Sequence, residues 1–289
     1  LYRAALLALT HLPANHTAQG LALASRHAYR ALKLRAGLDR QAPGAPARRP
    51  GSRPRIAYLA GQGHERLLRR VLASHEAQAA EVHVFTNRPM AGLPAHIHQR
   101  ALDPAELARR CAALRIDVLI DAGGLHPFEG QFEVLQAVAR RPAPLQIGWL
   151  GCWGTSGGLF DALLCDAASV PPAHEALHEE ALWRLDGGQW CWDPPLHAPP
   201  PLTLPMQVTG APTFGVLARG LRINAASLRA WARVLLATPG ASLRFIGELA
   251  LDWPQRAQVL RTLDAHGVAT TRVAFDPDPV AFNPANAGY

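Results

Sequence analysis

Between residues 55 and 186, short apolar runs alternate with longer segments whose apolar residues recur every third or fourth position. The runs Arg55–Ala60, Glu81–Thr86, Asp117–Asp121, Leu145–Leu150 and Ala162–Cys165 read as strands. Glu65–Gln78, Pro104–Leu114 and Gln131–Arg140 read as helices. Strands alternating with helices of this length predict a parallel, doubly wound α/β sheet. The alternation resumes with strand Thr213–Ala218, helix Ala225–Thr238, strand Ser242–Gly247, helix Pro254–His266 and strand Arg272–Phe275. Between the two series, Trp190–Pro205 is dense in proline and tryptophan and has no period, which marks a crossing.

Ahead of the first strand, Leu1–Leu12 and Thr17–Leu38 carry Ala and Leu at helical spacing on either side of Pro13-Ala14-Asn15. They fit the last helix pair of a tetratricopeptide-like array, although one pair does not establish a repeat. The predicted organisation is a helical segment over 1–39, a Pro/Gly/Arg linker over 40–54, a Rossmann-like half with its crossing over 55–205, and a partial second half over 206–289. Three strands are fewer than a complete nucleotide-binding half contains, and Leu1 is not an initiator methionine. The sequence therefore reads as truncated at both ends.

Composition narrows the class. The chain has 289 residues, 49% hydrophobic and 18% charged, which are values of a globular protein. No apolar run approaches the roughly 18 residues of a spanning helix, and the short apolar stretch Ala4–Leu12 lacks a cleavage pattern, so the expectation is no membrane and no signal peptide. The net charge of +7 invites a nucleic-acid reading. Lys33 is the only lysine among 29 basic residues, however, and the arginines are scattered rather than striped. This looks like coding bias, and no nucleic-acid partner is expected. Cys111, Cys152, Cys165 and Cys191 have no metal-site spacing, which predicts reduced thiols and a cytoplasmic setting.

The candidate chemistry lies in the loops. Gly61-Gln62-Gly63-His64 follows the first strand and precedes a helix, where backbone amides can face an anion. It lacks the third glycine of a dinucleotide fingerprint, so no complete G-x-G-x-x-G with its acid follows a strand and an oxidoreductase is disfavoured. His64 would stand at a strand's carboxyl end, facing a cleft between the halves, with an ordinary pKa near neutrality; a capping or solvated loop histidine is the bland alternative. Asp121 opens Asp121-Ala122-Gly123-Gly124 and would orient or cap that turn. Further on, Pro142 and Pro144 stop a helix, Leu145–Leu150 form a buried strand, and Gly151, Gly154, Gly157 and Gly158 permit tight turns.

Residues Arg141 to Gly157, Arg-Pro-Ala-Pro-Leu-Gln-Ile-Gly-Trp-Leu-Gly-Cys-Trp-Gly-Thr-Ser-Gly, resemble the R-P-A-P-x-Q-x-x-W-L-G-Y-P-G-T-S-G signature of the O-linked N-acetylglucosamine transferase family. The resemblance covers about residues 55–275 and is thinner in the second half. It implies a GT-B-like architecture of two Rossmann-like halves, with a UDP-sugar as donor substrate and no cofactor or metal. The implied reaction is transfer of a sugar, N-acetylglucosamine above all, to Ser or Thr hydroxyls of an acceptor protein. It also implies catalytic histidines, which fall on His64 and His98; the loop at His64 is about two residues shorter than the family's. Phe214-Gly-Val-Leu-Ala-Arg-Gly-Leu-Arg-Ile223 resembles the family's F-x-x-F-N-x-x-Y-K-I/L stretch. Its diphosphate-binding lysine falls on Arg222, and a second donor contact on Arg219. The loop residues implied at the cleft are Gly61, Gly63, Gly151, Trp153, Gly154 and Thr155. Where the family has a further donor-binding His-Thr-Thr segment, residues 276–289 show none. The alternative is a non-catalytic relative acting as a binding or scaffold module.

Overall fold

The computed structural model describes residues 17–35, 51–61, 64–124, 130–152, 154–194, 203–217, 223–246 and 253–276. The predicted helix over residues 1–12, Gly63, Trp153, Arg219, Arg222 and the segment after residue 276 lie outside them. The described residues fall into two compact units, 17–194 and 203–276.

The first unit is built on a seven-stranded parallel sheet. Its strands are β1 (Arg55–Ala60), β2 (Glu81–Thr86), β3 (Ile97–Ala101), β4 (Val118–Asp121), β5 (Leu145–Gly148), β6 (Ala162–Cys165) and β7 (Ala181–Arg184), in the order β3-β2-β1-β4-β5-β6-β7. The helices are α1 (Ala18–Arg35), α2 (Glu65–Ala73), α3 (Leu107–Leu114) and α4 (Gln131–Ala139). Alternate residues of β1 go to opposite faces, as strand periodicity requires. Ala57 and Leu59 join a core with Tyr29 and Leu32 of α1, Leu107 of α3 and Leu135 of α4. Tyr58 and Ala60 join a second core with Leu68 and Leu72 of α2. The chain winds outward from β1 through β2 to β3, then returns to add β4 on β1's other side. The β1/β4 boundary is thus a topological switch point, where open α/β sheets hold ligands beyond their carboxyl ends.

Several elements differ from the sequence expectation, each for a physical reason. The loop expected around His98 is the edge strand β3, and β7 was not predicted. Both lie at sheet margins, where one neighbour suffices and the two-sided apolar signal is absent. In β3 only Ile97 is fully buried. Strand β5 ends at Gly148, not Leu150, because Leu150 adopts φ +51 and turns the chain away. Helix α2 stops at Ala73, short of Gln78.

Helix α1 is also not a detached segment. Ala22, Ser25, Ala28, Tyr29 and Leu32, at three- and four-residue spacing, are buried and face α4 and the short 3-10 turn Pro172–Leu177. Tyr29 meets Phe160 edge to face at 6.5 Å. Arg26 pairs with Glu179 and donates to the Leu177 carbonyl. The Lys33 ammonium donates to the Gly157 carbonyl at 2.6 Å. Lys33→Ala removes that one bond while sparing the packed face. It is expected to lower stability by about 1 kcal/mol, read as a small shift in the denaturant midpoint with an unchanged slope. A loss several times larger would mean that α1 hangs on this bond.

The second unit contains a three-stranded parallel sheet in the order β10-β9-β8. Its elements are α5 (Pro205–Thr209), β8 (Thr213–Val216), α6 (Ala225–Ala237), β9 (Ser242–Ile246), α7 (Trp253–Ala265) and β10 (Val273–Asp276). Asn224 caps α6, its side chain accepting from the Ala226 and Ser227 amides while its own amide donates to the Ser227 hydroxyl oxygen. Arg272 ties the other end, donating to the Leu235, Thr238 and Ala241 carbonyls. The core is Leu228, Leu235, Leu243, Phe245 and Leu263.

Candidate active site at the carboxyl edge of the first sheet

Three segments meet the carboxyl edge side by side at the switch point: Gly61 and His64 after β1, Ala122–Gly124 after β4, and Trp149–Cys152 after β5. Backbone bonds weld them together. The Ala122 amide donates to the Leu59 carbonyl, the Trp149 amide to Asp121, and the Gly151 amide to Ala122. The glycines of two turns approach backbone to backbone. A Cβ on Gly124 would run into Gly151, and one on Gly151 into the Gly123 carbonyl.

Asp121, buried at the end of β4, orients its own turn. Its carboxylate accepts from the Gly123 amide at 3.1 Å and the Gly124 amide at 3.0 Å. Burial pushes its pKa up to about 6, against the lowering effect of these bonds. Gln131, the first residue of α4, donates to the Gly124 carbonyl at 3.0 Å. It packs so close to Gly123 that a Cβ there would lie 2.6 Å from its Cδ.

His64 stands just before α2, and its carbonyl accepts the Leu67 and Leu68 amides. It is neither solvated nor a side-chain cap: it is 5% exposed, and its side chain makes no capping bond. Burial lowers its pKa, while a bond with the Gly61 backbone works the other way. The imidazole is therefore neutral at pH 7.

Burial lowers the pKa of His75 and His83 as well. Groups with depressed folded pKa values stabilise fully above their unfolded pKa near 6.5 and lose that stabilisation as pH falls through the folded values. Asp121 has the opposite sign: its contribution is full below 3.8 and lost as pH rises through about 6. Stability should consequently fall on acidification below pH about 6.5, measured as a denaturation midpoint against pH. Asp121→Asn should steepen that acid loss, because the opposing carboxyl has been removed. A profile unchanged by the substitution would mean that Asp121 titrates normally.

The Thr155–Gly158 turn is locked from below by Glu180, a buried carboxylate at the start of β7. One oxygen accepts from the Ser156 amide at 2.7 Å, the Ser156 hydroxyl and the Gly158 amide at 3.3 Å. The other accepts from the Thr155 hydroxyl at 2.9 Å and the Glu179 amide at 3.2 Å. Ser156 Oγ in turn receives the Leu159 and Phe160 amides. Thr155 is fully buried and committed to this network, so it shapes the loop rather than facing a ligand. The Cys152 thiol is held neutral, burial raising its pKa and the nearby Asp121 and Glu180 charges adding to the effect.

The structure thus brings Gly61, His64 and Gly151 to one edge, whereas Thr155 is held by Glu180 at the start of β7 and Gly154 lies against Ser25 of α1. It does not bring His98 there. His98 is exposed on β3, beyond β2 from β1, and its ring stacks on His83 at 5.1 Å. Reading the sequence missed Gln131, Lys33 and Glu180, since nothing in their spacing links them to loops 7 to 124 residues away. Among the described residues no group of three or more His, Cys, Asp or Glu is arranged to hold a metal ion, and no helix is long and apolar enough to cross a membrane. All four cysteines are free.

A doubly wound parallel sheet with its loops gathered at the switch point, followed by a second parallel α/β unit, is the organisation of a GT-B glycosyltransferase. No protein-family profile matches the chain. An O-GlcNAc transferase mutant from Thermobaculum terrenum superimposes with a TM-score of 0.79 and 27% identity, over 99% of this chain and 56% of that one. The tomato protein named probable UDP-N-acetylglucosamine–peptide N-acetylglucosaminyltransferase SPINDLY is 32% identical over 130 residues, 45% of this chain and 14% of its own length. Its Arabidopsis thaliana namesake is 29% identical over 177 residues, 61% of this chain and 19% of its own length. These likenesses support the O-linked N-acetylglucosamine transferase family, over part of the chain in the curated relatives and nearly all of it in the solved structure. The match spans less than a fifth of each of these curated relatives.

Proposed function

We propose that the protein transfers N-acetylglucosamine from a UDP-sugar to serine or threonine hydroxyls of an acceptor protein. The observation that carries this reading is the likeness, along nearly the whole chain, to the O-GlcNAc transferase of T. terrenum. The names of the SPINDLY relatives support the same substrates. In this reading His64 is the group at the reacting centre. Burial keeps it neutral, so it can accept a hydrogen bond from the attacking hydroxyl and take its proton as the bond to the sugar forms. Asp121 and Gln131 hold the neighbouring turn still, which fixes the amides that line the edge. Arg219 and Arg222 would meet the diphosphate and offset the charge left on UDP, a task for which a guanidinium fork is suited. Four free thiols support a reducing, cytoplasmic setting.

The test uses the full-length natural protein. Calorimetry should detect UDP binding, and UDP release from UDP-N-acetylglucosamine should depend on an acceptor. His64→Ala should reduce turnover about a hundredfold or more while leaving UDP affinity nearly unchanged. Equal turnover in that variant would remove His64 from the mechanism. Absence of UDP binding would overturn the transferase and leave a scaffold with a transferase fold.

A further inference from the structure

At the margin of the sheet, β3 and α3 border an open cavity of about 400 Å³. It is within the size range of small-molecule sites. Arg100, Ala101, Arg109, Arg110, Ala113 and Leu114 line most of it, and no carboxylate residue is among its walls. Arg109 is committed outside, to Glu106. The other two guanidiniums are held by neutral acceptors. Arg100 donates through Nε to His83 Nδ1 at 3.2 Å, and Arg110 donates through Nη1 to the Ala101 carbonyl at 2.9 Å.

The state of His83 follows from its partners. An arginine Nε–H can only donate, so His83 Nδ1 must accept, and the ring proton is on Nε2 facing Glu81 Oε1 at 3.0 Å. His83 is therefore neutral and orients Arg100 without cancelling its charge. The Ala101 carbonyl does the same for Arg110. Two oriented guanidiniums keep full charge and unspent N–H donors on one cavity, beside an apolar wall from Ala113 and Leu114. A buffered surface arginine would instead be paired with a carboxylate or splayed into solvent.

We infer that this cavity binds a small phosphate monoester, with the phosphate between Arg100 and Arg110 and the organic part against Ala113 and Leu114. A dianion with three free oxygens can use both forks at once, whereas a single carboxylate is satisfied by one. The site is independent of the transferase reading, as it shares no residue with the loops that follow β1, β4 and β5.

Titration of the full chain with phenyl phosphate and with inorganic phosphate, at fixed ionic strength, tests it. Phenyl phosphate should bind saturably and more tightly than inorganic phosphate, and should protect Gln99–Ala101 and Leu107–Leu114 from hydrogen exchange. Arg100→Gln and Arg110→Gln should each weaken it about tenfold, while Arg233→Gln in the second unit should leave it unchanged. These arginines are partly exposed, so the variants should fold, as circular dichroism would verify. No saturable binding, or undiminished binding in the double variant, would overturn the site. Equal affinity for inorganic phosphate would overturn the ester.

Discussion

Gly151→Ala is expected to destabilise the first unit by about 3 kcal/mol or more, at the upper end of what overpacking costs. The new methyl has nowhere to go. Its neighbours are the carbonyl carbon and oxygen of Gly123 and the amide of Gly124, and backbone yields less readily than a side-chain tip. That turn is pinned in place by Asp121 on its amides and by Gln131 on its carbonyl. Relief requires parting the loops after β4 and β5, which breaks the bond from the Gly151 amide to the Ala122 carbonyl. A large drop in the denaturation midpoint should be accompanied by faster hydrogen exchange at Ala122–Gly124. A midpoint equal to the natural chain's would show that the two turns separate at little cost.

Glu180→Ala is the second large effect, about 3 kcal/mol. Three of the bonds it accepts come from buried groups with no water to replace it, the Ser156 amide and hydroxyl and the Thr155 hydroxyl. Glu180→Gln should recover only part of the loss. One oxygen remains to accept, but the new amide NH₂ faces the Glu179 N–H, donor against donor. It also faces Thr155 Oγ1, which already accepts from the Gly157 and Glu179 amides. The expected order of stability is Glu, then Gln, then Ala, read in parallel denaturant titrations. A glutamine variant as stable as the natural chain would mean that shape, not charge, is what Thr155–Gly158 requires.

Much of the sheet could be read from the chain because its central strands are covered on both faces. Arg55–Ala60, Glu81–Thr86 and Ala162–Cys165 announce themselves as apolar runs with the bounds the structure gives them. Ile97–Ala101 and Ala181–Arg184 do not, since a margin strand with a wet face tolerates His, Gln and Arg. The segment Trp190–Pro194, which has no period, is likewise ordered by tertiary contacts alone. Asp193 pairs with Arg69 and Arg70 of α2, and Arg66 lies over the Trp192 ring.

The candidate site divides in the same way. The amino-acid sequence by itself determined the family resemblance, the parallel α/β plan and the loops that carry Gly61, His64, Asp121 and Gly151. These depend on local rules: strand period, helix stops, and glycine where the backbone must turn. Only the tertiary structure decided what holds those loops. Gln131 reaches back to Gly124, Glu180 gathers Thr155 and Ser156, and Lys33 of α1 reaches Gly157 across 124 positions of sequence. It also separated His98 from His64, since His98 is exposed on the edge strand β3 while His64 is buried between β1 and α2. Hydrogen bonds between distant residues leave no period in a chain. A buried carboxylate such as Glu180 becomes intelligible only when the fold shows which amides and hydroxyls surround it.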